Sequence, residues 1–155
     1  MTFYGTYSTA LNALKSELEE ITLSAHDDMK FQIVEFGPWE QRKEPPCCQI
    51  LEGSTDKMIV SLGQGYQQVE ITVDLHLFIE HPWTRTRGST LTARDAILKT
   101  IGDVWDHFMA GNGKTLASTV QDCVPISVSM WDLIADWSVY HSIVTLSIRV
   151  IIAGV

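Results

Sequence analysis

Cysteine is scarce and charge is thin in this sequence, and each shortage removes a class of protein. The chain has three cysteines in 155 residues, an odd number, and two of them, Cys47 and Cys48, are adjacent. Neighbouring cysteines rarely bridge each other and no spacing forms a disulfide framework, so the sequence predicts a protein kept in a reducing compartment. Charged residues make up 19 %, below the roughly 25 % of an average soluble protein. Basic residues are the scarcer kind, eleven against nineteen acidic ones, for a net charge of -8. That balance excludes binding of DNA by phosphate neutralisation, which needs clustered Lys and Arg. It equally argues against a reader of anionic membrane surfaces. Long apolar runs are missing as well. The longest, Ile143 to Val155, is interrupted by Thr145, Ser147 and Arg149 and does not suit a bilayer span. The opening Met1-Thr2-Phe3-Tyr4-Gly5 lacks the basic and apolar regions of a signal peptide, which predicts a protein made and kept in the cytoplasm.

The motifs of catalysis and cofactor binding are also missing. The five histidines, His26, His76, His81, His107 and His141, form no HxH or HExxH arrangement, so no zinc-site spacing is present. His76 and His81 are separated by an odd number of positions, which sends them to opposite faces of a continuing strand. Asp103, Asp106 and His107 sit together on a helix, and the plainer reading is its solvated face. Cys47 and Cys48 follow Arg42 and Lys43, cations that lower a thiol pKa slightly. The expectation is nonetheless one small buried hydrophobe and one edge position, with Cys123 packed in a strand. Gly113-Lys114-Thr115 resembles the end of a phosphate loop, but position 108 is Phe and a helix, not a strand, precedes it. A helix C-terminus presents carbonyls, which repel phosphate. No catalytic, cofactor-binding or metal-binding residue is therefore expected.

What the sequence does contain is strong periodicity. From a cap at Ser8 or Thr9 to about Leu23, Leu11, Leu14, Leu18 and Ile21 recur at helical spacing. Phe31 to Phe36 reads as a strand, closed by Gly37-Pro38. Pro45-Pro46 leads into a second strand, Cys47 to Leu51, and Met58 to Leu62 makes a third. Gly63-Gln64-Gly65 is a hairpin connection with glycines available for positive φ. The clearest signal comes next: Val69, Ile71, Val73, Leu75, Leu77 and Ile79 alternate with Gln68, Glu70, Thr72, Asp74, His76, Phe78 and Glu80. At about 3.3 Å per residue this strand extends roughly 40 Å, with one apolar and one polar face. A second helix, capped by Ser89 or Thr90 and ending near Ala110, presents Ala93, Ile97, Ile101, Val104, Trp105 and Phe108 on one stripe. Gly111-Asn112-Gly113 ends it. Strands at Val120 to Val124, Ile126 to Met130 and Val139 to Ile152 follow, with Asp132 to Trp137 as a loop or short helical turn. The order helix, strands, helix, strands predicts one α+β domain over residues 1–155, with a mixed, mostly antiparallel sheet carrying two helices on one face.

Trp39, Trp83, Trp131 and Trp137 all fall in or near loops, and only Trp105 reads as core. Trp and Arg are enriched at interface hot spots, although a large amphipathic ring also folds readily over a core rim.

Taken in order, the N-terminal helix from Leu11 to Ile21, the strand-and-loop region, VEITVDLHLFIEHPW from Val69, ARDAILKTIGDVWDHF from Ala93, the Gly-Asn-Gly turn and the closing strand SIVTLSIRVII resemble the tail terminator or tail-completion proteins of long-tailed bacteriophages, the gpU-type minor tail proteins. The resemblance spans nearly the whole chain and rests on feature order, since no single motif is sharp. It implies a structural virion protein at the tail end or neck that forms a homo-oligomeric ring, usually a hexamer. Such a ring caps the tail tube, stops its polymerisation and joins it to the head-completion proteins. DNA passes through without specific binding. The acidic wall of such a channel has candidates in Glu70, Asp74 and Glu80, although ordinary solvated strand residues would look the same. A ring needs two different patches that meet head to tail, and the candidates are Trp39, Trp83, Arg85, Arg87, Trp131 and Trp137. The resemblance offers no catalytic residue to carry over. Two alternatives stay open: another head-tail connector or tail-tube component, and a small cytoplasmic ligand-binding domain or enzyme.

Overall fold

The computed structural model describes residues 3–26, 28–37, 44–52, 58–63, 65–80, 93–129, 132–134 and 139–153. The chain runs α1 (Phe3–Glu20), a 3-10 turn (Ser24–His26), β1 (Ile33–Phe36), β2 (Cys47–Glu52), β3 (Met58–Gly63), β4 (Tyr66–Glu80), α2 (Ala93–Met109), a short α3 (Gly111–Lys114), β5 (Asp122–Val128), β6 (Asp132–Ile134) and β7 (Val139–Ala153). This is the α+β class that the periodicity predicts.

All seven strands join one sheet, in the order β1-β2-β4-β7-β5, with β3 also on β4 and β6 also on β7. Among the described residues only β1 and β2 pair in parallel, and every other strand pairing is antiparallel. The spine is β4 against β7, paired without a shift from Tyr66↔Ala153 to Glu80↔Val139. Fifteen residues per strand is well beyond the usual length. Uninterrupted alternation makes this possible, because a one-residue slip would turn every buried side chain outward.

One face of the spine is largely apolar, with Ser142 as a buried polar member opposite Leu77. Val69, Ile71, Val73, Leu75, Leu77 and Ile79 of β4 and Val144, Leu146, Ile148 and Val150 of β7 are buried in a single cluster. Leu11, Leu14 and Leu18 of α1 and Ile97, Ile101, Val104 and Phe108 of α2 complete it. Trp105 is partly buried and packs against that core. Both helices thus lie on the same side, as expected from their stripes.

Several local expectations need correction. Helix α1 begins at Phe3, so Ser8 and Thr9 are inside it and cap nothing. The extra turn is anchored by Tyr7, which packs on the core and donates a 2.6 Å hydrogen bond to Glu52. The helix also ends earlier, at Glu20; Ile21 and Leu23 stay buried while the chain turns through Ser24–His26. The strands expected at Val120 to Val124 and Ile126 to Met130 are one over Asp122–Val128: β5 runs continuously past Pro125 with a register shift between Pro125 and Ser127, and Met130 lies outside the described residues. A terminal strand with a bulge is where proline, lacking an N–H, is tolerated. Asp132–Ile134, read as loop or helix, pairs with β7 as β6.

The junction after α2 is tight. Gly111 has φ 62°, and Leu116, Ala117 and Ser118 follow with φ of 46°, 55° and 67°. Three successive non-glycine residues in the left-handed region are costly, and local bonds hold them. Ala117 N donates to Asn112 O at 2.8 Å, and Thr119 N and Val120 N donate to Thr115 O at 3.0 and 3.1 Å. Gly113 packs directly on the backbone of His107 and leaves no room for a Cβ.

Candidate functional site: the polar face of the sheet

The face of the sheet turned away from the helices is set by the even positions of β4 and the odd positions of β7. Here the alternation puts Glu70, Thr72, Asp74 and His76 beside Arg149, Ser147, Thr145 and Ile143. The two acids are satisfied by hydroxyls. Thr145 Oγ1 donates to Asp74 Oδ1 at 2.8 Å, and Ser147 Oγ donates to Glu70 Oε1 at 2.9 Å. Arg149 stands in register with Glu70, but its guanidinium takes Asp122 of β5 in a fork, Nε to Oδ1 at 2.9 Å and Nη2 to Oδ2 at 2.7 Å. Bidentate pairing of this kind fixes both geometry and charge. Gln49 of β2 reaches Glu35 of β1 on the same face at 3.5 Å.

Among the strand residues whose side chains are described, this face therefore carries Glu35, Glu70, Asp74 and Asp122 against a single cation, Arg149. Hydroxyl donors satisfy carboxylate oxygens without cancelling their charge, so the face stays negative. Of the expected acidic wall, Glu70 and Asp74 lie together on it. The backbone of Glu80 continues the same strand in register with Val139, and its side chain lies outside the described residues. Trp39, Trp83, Arg85, Arg87, Trp131 and Trp137, the expected subunit contacts, all lie outside the described residues.

The polar face is not polar throughout. Cys47, Phe78 and Val139 are buried there as a second small cluster, with Ile33 and Ile134 packed on it. Phe78 follows the alternation but breaks the polarity expected of its position. Both Cys47 and Cys48 are buried, which corrects the expectation of one edge position. Their side chains point to opposite faces, Cys48 into the main core and Cys47 into the small cluster. Burial raises the Cys48 thiol well above its ordinary range, with the neighbouring Cys47 adding to it. Cys123 is pushed up to about 12, by burial first and then by Asp122 and Glu17. Thiols held protonated are poor nucleophiles.

Two further polar contacts tie the helical layer together. Asp103 of α2 accepts hydrogen bonds from Ser24 N and Ser24 Oγ at 2.8 and 3.0 Å. His107 Nε2 lies 2.9 Å from Glu17 Oε2, a largely buried carboxylate on α1. These residues, read from sequence as a solvated helix face, are fasteners between elements. The two ends of the sheet expose apolar side chains: Phe36 on β1, and Ile126 and Val128 on β5, are 43 %, 53 % and 41 % exposed. A groove of about 480 Å³ between α1 and β1, lined in part by Lys15, Glu19 and Lys30, is shallow and open to solvent. No group of three or more His, Cys, Asp or Glu residues able to hold a metal ion occurs among the described residues. Among the described residues, no helix is long and apolar enough to cross a membrane.

No protein-family model matches this chain, and no curated protein matches it.

Proposed function

We propose that this chain is a ring-forming tail terminator of a long-tailed phage, a structural virion protein that caps the tail tube and joins it to the head-completion proteins. The observation that carries the reading is the polar face of the β4–β7 spine, where carboxylates are met by hydroxyls and Arg149 is taken by a further acid. A negative surface opposes adsorption of the phosphate backbone, which suits a wall past which DNA slides. The order helix, strands, helix, strands supports the reading, because the resemblance rests on that order.

The sheet ends add support. A ring closes only when two different patches on each subunit meet. Phe36 on β1 and the Ile126–Val128 stretch of β5 are exposed apolar groups at opposite ends of the strand order. A strand with an unpaired side also invites a neighbour. In this reading the protein's partners are its own copies, usually six, then the tail-tube and neck proteins. It needs no cofactor and no catalytic group.

Light scattering of the purified protein, with negative-stain imaging, tests the reading. The expected result is a hexameric mass and a ring with a central hole. A monomer persisting over a wide concentration range would overturn it.

A further inference from the structure

The polar face holds one pair of titratable side chains for which the ring reading has no use. His76 Nδ1 lies 2.8 Å from His141 Nε2. The two residues are diagonal neighbours, since His76 is in register with Ile143 and His141 with Phe78. Their ring planes differ by 10° and the ring centroids are 5.1 Å apart. That separation equals the nitrogen gap plus the two ring radii. Both nitrogens therefore lie on the line joining the rings, and the imidazoles are coplanar and edge to edge. Phe78 stacks against His141 at 4.9 Å and 18°, which holds the plane of that ring.

This is the geometry of an in-line N–H···N hydrogen bond. One ring donates, the other accepts, and the two neutral tautomers are locked to each other. A shared metal ion fits poorly, because each nitrogen is aimed at the other and not at a common point beside them. We propose that His76 and His141 form a one-proton clasp between β4 and β7, which takes up a first proton with its bond intact and is forced open by a second. The first proton goes to an outer ring nitrogen and leaves the central N–H···N in place as a charge-assisted bond. The second fills the remaining acceptor nitrogen, so two N–H groups and two positive charges face each other across the gap. The bond is lost and the strands separate locally.

The surroundings favour one proton and resist two. Asp74 lies two positions along β4 on the same face, Glu35 projects from β1, Cys47 from β2 is opposite Phe78, and Asp132 of β6 is in backbone register with His141. Burial lowers the His76 pKa and the adjacent His141 lowers it further, while Asp74 acts in the opposite direction. Opening would reach the small apolar cluster of Cys47, Phe78 and Val139 directly. The clasp stands whether or not the chain closes into a ring.

Nitrogen-15 spectra of histidine-labelled protein test it, recorded from about pH 8 to about pH 4, a span that brackets the ordinary histidine range. A nitrogen–nitrogen coupling between the two rings is expected at neutral pH, together with the same tautomer on both, either Nδ1–H on each or Nε2–H on each, since the bond joins Nδ1 of one ring to Nε2 of the other. The coupling should survive uptake of the first proton and vanish with the second. At that point amides of residues 75–79 and 139–143 should exchange faster than those of 66–71 and 148–152. The variant His141→Phe should lose the acid-induced step in exchange. Two independent titrations with no coupling, or uniform exchange along the spine, would overturn the proposal. So would an acid step retained in His141→Phe; if that variant does not fold, the wild-type spectra decide alone.

Discussion

The two faces of the β4–β7 spine are built from the same strands in the same register, yet they are held by different physics. On the helix side, side chains such as Leu75 and Leu146 are wholly buried among aliphatic neighbours, and stability comes from area removed from water. On the other side, the cross-strand contacts are directional: Thr145 to Asp74, Ser147 to Glu70 and His76 to His141. The first face tolerates no loss of volume. The second tolerates loss of single contacts, and its charge is available to act on something outside the chain.

The contrast is sharpest for truncation in the core. Leu146→Ala should lose about 2–5 kcal/mol of unfolding free energy in urea melts, the usual cost of a large buried cavity. A loss under about 1 kcal/mol would mean that the helical layer is loosely packed. Gly113→Ala should lose about 1–3 kcal/mol by forcing a methyl group against the His107 carbonyl, again read from urea melts. On the polar face, Thr145→Val removes one donor to Asp74 and keeps the shape. It should lose only about 0.5–1.5 kcal/mol; a core-sized loss would erase the distinction between the faces.

Acid should act on the polar face in a smaller step. The His76 pKa is lowered in the folded protein from 6.5, chiefly by burial, so the unfolded chain binds its proton first. This contribution to stability is intact above about pH 6.5 and falls as the pH drops below it. Urea melts at about pH 7.5 and about pH 5 should show a smaller difference in His76→Asn than in the wild type. Smallest in stability is Ile126→Lys at the exposed sheet end, expected within about 0.5 kcal/mol of wild type. Its effect belongs to assembly, where light scattering should show the ring mass falling toward the monomer.

The alternation of β4 and β7 made the sheet legible from the sequence, because a period of two over so many residues admits one reading. The faces followed, and with them Glu70 and Asp74. What stayed hidden required register. Nothing in the spacing of His76 and His141 hints that their nitrogens meet; only the pairing of residues 65 positions apart brings them together. Both carry the polar parity of their strands, the one signal available. The start of α1 was misread because Ser8 and Thr9 resemble caps, whereas the Tyr7–Glu52 contact that secures the earlier turn is tertiary. The two strands expected on either side of residue 125 are one in β5, which shifts register between Pro125 and Ser127. Phe78 was placed on a polar face by parity, and the second cluster that buries it comes from β1, β2, β6 and β7.

The side-chain hydrogen bonds across the spine join residues 65 to 77 positions apart, and this separation bears on how the molecule is made. The strand that β4 needs comes later in the chain, after α2, α3, β5 and β6. Until β7 arrives, one long edge of β4 and its row of valines, isoleucines and leucines have no mate. Non-local pairing of this kind places folding in the slow regime, milliseconds to seconds. During synthesis the exposed row is a template for the wrong partner. Chains released before residue 139 should therefore be the ones that aggregate.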